Sequence, residues 1–297
     1  MATAPLPDVG ADAVQVPAAG TDVNVLCAGQ GPGTVVLLHG FGDNLGTWRH
    51  VLPLLARRHR VVALDLPGFG ASGPIPPGTL LDGQVDAVTG VLDALDEPEP
   101  VALVGNSMGG AAALRFALSH PERTGRVVAV APAGLGQGVP VWWRMMSGQL
   151  LSLRLLMMGL EMVPTAVVEA VARQIYLHLV VHDPARIDAE ALERLGARYR
   201  TRRDIEDLYR HGRLLVAELM SGALLDELEQ LAAPLLVVWG RQDRLIPVTH
   251  GRLLTETVPG ARLRILDRCG HCPQVERPDL LVPLLLSFLD ADMEAAG

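Results

Sequence analysis

Hydrophobic positions along the chain fall into two alternating patterns. Short strand-like runs occur at Thr34 to Leu38, Arg60 to Leu64, Val101 to Val104, Val127 to Ala131, Leu235 to Trp239 and Leu263 to Leu266, and Thr34 to Leu38 is continuously apolar, as a strand buried on both faces needs. Ala13 to Val16 and Val23 to Cys27 read as two short opening strands. Between them stand segments with helical spacing: Leu45 to Arg58, Leu80 to Leu95, the Ala-rich Ser107 to Leu118, and about Leu280 to Leu289. Strands alternating with helices predict an α/β fold, a mostly parallel central sheet with helices on both faces. Between roughly Ala133 and Leu231 no strand is evident and helix formers dominate. About a hundred residues is too long for one crossover. The expected division is therefore a core domain of residues 1–132 and 232–297, with an inserted helical cap over 133–231. Gly134 to Pro140 suits a hinge into that cap.

Composition narrows the picture. At 297 residues and 49 % hydrophobic, the chain can bury one large core. A formal net charge of −8 argues against a nucleic-acid partner. The Arg198 to Arg203 cluster is followed at once by Asp204, Glu206 and Asp207, which reads as a solvated helix face. The most apolar stretch, Leu150 to Val168, is interrupted by Arg154, Glu161 and Pro164, so no membrane span is expected. The N-terminus has no basic stretch leading into an apolar run, so no secretory signal is expected. Three cysteines fit free thiols in a reducing cytosol, and the expected location is cytoplasmic.

Chemistry concentrates in the loops after the strands. Gly105-Asn106-Ser107-Met108-Gly109 has the Gly-x-Ser-x-Gly pattern between an apolar strand and an Ala-rich helix. A serine on that tight turn needs small neighbours two positions away, and its hydroxyl needs a base before it can attack. His271, in a Gly-flanked loop after the last strand, is the best placed base. Asp243, after the strand ending at Trp239, is the expected carboxylate that fixes its tautomer, with Asp267 as rival. The backbone N–H groups of Phe41 and Met108 are the expected oxyanion donors. Their side chains would then face the acyl pocket. Gly40, Asn106, Trp142 and Trp143 are candidate substrate-binding positions. No metal or cofactor is required, and the expected partner is a small-molecule substrate. Neither sequence nor spacing fixes an oligomeric state.

Three other strings carry less. Gly68-Phe-Gly-Ala-Ser-Gly73 is followed by Pro74, Pro76 and Pro77, which forbid the helix a pyrophosphate would need. Cys269-Gly-His-Cys272 precedes Pro273 instead of opening a long helix. His178-Leu-Val-Val-His182 lacks a third ligand and reads as a helix surface.

His39-Gly-Phe-Gly-Asp, Asp65-Leu-Pro-Gly-Phe-Gly-Ala-Ser, Gly105-Asn-Ser-Met-Gly-Gly, Gly240-Arg-Gln-Asp and Gly270-His271 together resemble the α/β-hydrolase superfamily, in that order along nearly the whole chain. That resemblance implies the α/β-hydrolase fold and a Ser-His-Asp triad. Leu103-Val-Gly-Asn-Ser-Met-Gly-Gly and Ala131-Pro-Ala-Gly-Leu-Gly resemble meta-cleavage-product hydrolases, which cut carbon–carbon bonds in ring-fission products. Those enzymes typically carry Trp after the His, where this chain has Cys272. Their cap Arg in a Gly-Arg-Trp context has only Arg194 and Arg198 nearby. His-Gly-Phe-Gly-Asp is instead similar to carboxylesterases and small lipases. The first expectation is therefore hydrolysis of esters of small apolar substrates through an acyl-enzyme. Carbon–carbon hydrolysis comes second, and a non-catalytic ligand-binding protein on the same fold is the alternative of another class.

Overall fold

The computed structural model describes residues 12–98, 100–135, 164–197 and 201–291. Eight strands form one sheet: β1 (Val14–Ala18), β2 (Thr21–Ala28), β3 (Thr34–Leu38), β4 (Arg60–Leu64), β5 (Val101–Asn106), β6 (Thr124–Val130), β7 (Leu235–Gly240) and β8 (Arg262–Leu266). Their order is β1-β2-β4-β3-β5-β6-β7-β8. The β1–β2 and β2–β4 pairs are antiparallel and all others are parallel. The strands match the apolar runs because both faces of the sheet are covered. Period-2 alternation then sorts side chains to opposite sides without sorting polar from apolar. Val36, Leu38, Leu103, Val127 and Val237 join one cluster with Phe116 and Trp239, while Val35, Leu37, Val104, Val128 and Val238 join another with Trp48 and Phe288. Each fully buried Val or Leu contributes roughly 1.5–3 kcal/mol.

The larger helices are α1 (Leu80–Ala94), α2 (Met108–Ser119), α3 (Thr165–Ile175), α4 (Ala189–Ala197), α5 (Arg202–Met220), α6 (Thr249–Thr257) and α7 (Pro278–Leu289). Helix α1 starts where Thr79 Oγ1 accepts the Asp82 N–H at 3.1 Å, and it buries the face bearing Val85, Val88 and Leu92. Gly109 to Ala113 give α2 a smooth side that packs closely on the sheet. The helical spacing over Leu45 to Arg58 resolves differently from expectation, into a 3₁₀ turn (Leu45–Trp48) and one α-turn (Leu52–Leu55). The apolar positions there are set by burial of Trp48, Leu52 and Leu55 against the sheet, which two short turns achieve as well as one helix.

Among the described residues between Val130 and Leu235, every regular element is helical. Helix α5 opens with a reciprocal capping box between Thr201 and Asp204. Its far end is fixed to the core, because the Glu218 carboxylate accepts the N–H groups of Leu80 and Leu81 at the start of α1. Trp142, Trp143, Arg198 and the side chain of Arg194 lie outside the described residues. No described helix is long and apolar enough to cross a membrane.

One buried pair makes stability depend on pH. His59, 3 % exposed, places Nε2 3.1 Å from Asp290 Oδ1 at the end of α7, without hydrogen-bond alignment. Burial pushes the imidazole below its ordinary range and outweighs the carboxylate's opposing pull. In the unfolded chain the same group titrates near ~6.5. Between the two values the unfolded chain binds the extra proton, so stability is full above that pH and falls as pH drops toward the folded value. Burial shifts His211 in the same direction. Thermal melts should show a lower Tm at pH 5 than at pH 7.5, and His59→Gln should shrink that difference. An unchanged difference in the variant would remove His59 from this account.

Candidate active site

The sheet reverses its winding between β3 and β5, which are parallel neighbours followed by connections in opposite directions. Loops at the carboxyl ends of such a pair face each other across a crevice. Leu38 is in register with Gly105, so the His39-Gly40-Phe41 loop lies beside the Asn106-Ser107 turn. A methyl group on Gly40 would stand 3.3 Å from Ser107 Cβ.

Ser107 has φ 54° and ψ −115°, a conformation that side-chain-bearing residues rarely adopt. Backbone bonds hold it there: its N–H donates to Val130 O at 2.9 Å, and its carbonyl accepts from Ala111 N at 3.0 Å and Ala133 N at 3.1 Å. The two flanking glycines are steric requirements. A Cβ on Gly105 would lie 2.1 Å from Gly109 O, and one on Gly109 would lie 2.4 Å from Leu38 O. Met108 is the first residue of α2, so its N–H has no acceptor within the helix. Its side chain is fully buried in the core cluster. Phe41 is half-buried and meets Phe69 edge-on at 5.4 Å. Helix α5 lies over this loop: a methyl on Gly212 would stand 3.3 Å from the Phe41 ring, and His211 meets Phe69 at 5.6 Å.

His39 sets the loop's shape. Its Nδ1 lies 2.7 Å from Gly40 O, and its Nε2 lies 2.8 Å from Leu66 N. A backbone N–H can only donate, so Nε2 accepts and Nδ1 carries the proton.

Asp243, in the loop after β7, and His271, in the loop after β8, meet side chain to side chain. Nδ1 of His271 donates to Asp243 Oδ2 at 2.7 Å, and both side chains are shielded from solvent. Asp243 Oδ1 accepts Leu245 N and Ile246 N, each at 2.8 Å, so both oxygens of the carboxylate are engaged. His271 Nε2 is buried and has no hydrogen-bond partner. Asp267, the rival carboxylate, is 69 % exposed and pairs with Arg241.

Asn106 is buried, and its side chain makes four contacts. Nδ2 donates to Val130 O and His271 O at 3.1 Å each, while Oδ1 accepts Gln274 Nε2 at 3.0 Å and the Cys272 thiol at 3.6 Å. It thereby ties the serine turn to the backbone of the histidine loop. Cys269 and Cys272 flank His271 and are buried. Burial pushes both thiols far up, so they stay protonated and poorly nucleophilic. Arg49 is also buried and is bound by Asp188, the residue preceding α4. His178 is exposed, but His182 lies beyond the helical turn and donates its backbone N–H to Glu276, so this stretch is not a simple helix surface. Among the described residues no group of three His, Cys, Asp or Glu could hold a metal.

The family described as the alpha/beta hydrolase fold matches residues 33–278. The 2-hydroxy-6-oxo-6-phenylhexa-2,4-dienoate hydrolase of Burkholderia cepacia is 35 % identical over 274 residues, 88 % of this chain and 89 % of that protein. The 2-hydroxy-6-oxononadienedioate/2-hydroxy-6-oxononatrienedioate hydrolase of Cupriavidus pinatubonensis is 33 % identical over 283 residues, 91 % of each chain. Among solved structures, a variant meta-cleavage product hydrolase from Pseudomonas fluorescens IP01, complexed with acetates, superposes with a TM-score of 0.78 at 26 % identity, covering 94 % of this chain and 98 % of that one. The matched span holds the serine turn, the Asp243 loop and the His271 loop alike, and this chain belongs to the α/β-hydrolase superfamily as a hydrolase.

Proposed function

We propose that this hydrolase cleaves a carbon–carbon bond in 2-hydroxy-6-oxo-dienoates, the products of ring fission. The observation that carries this is the one-third identity to dienoate hydrolases, sustained over about nine-tenths of the chain. A 6-oxo-dienoate contains no ester or amide. Hydrolysis at its 6-oxo carbon must therefore break a carbon–carbon bond. The order expected from the motifs, esters first, is accordingly reversed.

In this reading Ser107 and His271 form the reacting pair and Asp243 holds the imidazole. His271 takes a proton through Nε2, and Asp243 stabilises the charge that results. The N–H groups of Phe41 and Met108 receive the oxyanion formed at the 6-oxo group. Before the bond can break, the dienol must ketonise, which places a proton on the carbon that leaves as carbanion. Residues 133–231 serve as the cap over the substrate, with Phe41, Phe69 and α5 forming apolar walls. A water then releases the carboxylic acid.

Ester hydrolysis stays as the second reading because of Cys272. A small buried thiol, 3.6 Å from Asn106 Oδ1, stands where the dienoate hydrolases typically carry Trp. Turnover of 2-hydroxy-6-oxo-6-phenylhexa-2,4-dienoate beside aryl esters of graded acyl length separates the two. The expected kcat/KM for the dienoate exceeds that for the best ester by on the order of 10²-fold. Efficient ester turnover with no dienoate turnover would reverse the assignment.

A further inference from the structure

We propose that Glu276 is a positioning residue that clamps the loop of His271 to the segment entering α4, so that the base and the helical region above it are held as one unit. The proposal rests on Ser107 and His271 as the reacting pair. Glu276 ends the short helix Pro273–Glu276 and is only 3 % exposed. Its carboxylate accepts hydrogen bonds from backbone N–H groups that belong to two different parts of the chain. Oε1 accepts from Gly270, the neighbour of His271. Oε2 accepts from His182 at 2.5 Å and Asp183 at 2.9 Å.

Other contacts run along the same seam. His271 N donates to Val180 O at 2.7 Å. Gly270 is pressed so closely that a Cβ there would lie 2.4 Å from Val180 O and 2.8 Å from His182 N. Arg244, next to Asp243, donates through Nη1 to His178 O at 3.0 Å. Val181, Ile187, Cys272 and Val275 seal the seam with a small apolar cluster. The loops of both Asp243 and His271 are thus seated on residues 178–183. The link from Gly270 to His182 and Asp183 runs through the one side chain of Glu276.

The division of labour between the two oxygens makes the idea testable. In Glu276→Gln one oxygen remains, and the amide NH₂ cannot accept, so one side of the clamp must open. Glu276→Asp keeps the charge but is one methylene short of spanning both sides. The readout is the rate of fluorophosphonate labelling per reactive serine, with the reactive fraction fixed by active-site titration. Both variants should titrate to nearly the wild-type fraction yet react about 10²-fold more slowly, as a misplaced catalytic group does. Wild-type rates per titrated site, or a loss wholly explained by a smaller titrated fraction, would overturn the proposal. Hydrogen exchange on the wild-type protein decides the matter if the variants do not fold. The amides of residues 180–183 and 268–272 should exchange together as one slow class. Free exchange of 180–183 beside a protected 268–272 would overturn it. A wild-type chain that takes no label at Ser107 would instead refute the reacting pair, and the exchange measurement would still judge the clamp.

Discussion

Ser107→Ala should fold normally and lose turnover by a factor on the order of 10⁶ in kcat. Retention of the fold follows from what holds the turn. The bonds from Val130, Ala111 and Ala133 all go to backbone atoms of Ser107. The positive φ is no more costly for Ala than for Ser, since both carry a Cβ. The packing that excludes larger groups involves Gly105 and Gly109, which are unchanged. The loss of activity follows because the oxyanion donors remain but nothing attacks. A fluorophosphonate should label the wild-type chain once, at Ser107, and leave the variant unlabelled. Equal labelling of both proteins would remove Ser107 from the mechanism.

Asp243→Asn should lower kcat by roughly 10⁴ with little change in fold. The direction can be read from the two sides of the carboxylate. Oδ1 accepts two backbone N–H groups, from Leu245 and Ile246, and an amide must keep its oxygen there. Its NH₂ is then turned toward His271 Nδ1, which must become an acceptor. The ring proton moves to Nε2, the atom that has to take the serine proton, and the base is blocked. Asp267→Asn is the control. That side chain is exposed and paired with Arg241, where an ion pair is worth ~0–1 kcal/mol, so activity should hardly change. The opposite pattern in steady-state kinetics would transfer the role to Asp267.

Much of this arrangement is legible in the chain because the constraints are local. A doubly covered strand must be apolar throughout, so the inner runs of β3, β4, β5, β6 and β7 stand out. The serine turn needs two glycines for space, and the bare sequence carries that requirement. Preference for Asp243 over Asp267 rests on its place in the loop at a strand's carboxyl end, and the hydrogen bond to His271 is made by Asp243. What the chain does not make legible depends on distant partners. Asn106 suggested a substrate contact, but its amide is occupied by groups from β6 and the histidine loop. Glu276 sits five residues beyond His271, and nothing in its surroundings along the chain announces a buried carboxylate. The 3₁₀ turn at Leu45–Trp48 follows from Asn44 and Asp65 taking up its first N–H groups, and Asp65 comes from the next strand. Substrate class escaped as well. The motifs near the serine are shared across the superfamily and do not separate ester from carbon–carbon hydrolysis.

The hydrogen bond from Asn106 to His271 O closes a loop of 165 residues. During synthesis the serine turn can form once β3, β5 and β6 are assembled. His271 arrives only after β7 and β8 have added to the open side of β6. A nascent chain in that interval carries the Ser107 turn without His271 beside it. The same interval leaves β6 as an unpaired border of the sheet, made of Val127 to Val130. Such a border invites pairing with other unfinished chains. Docking of Leu235–Gly240 ends that exposure of β6, and the later addition of Arg262–Leu266 brings His271 to the serine turn.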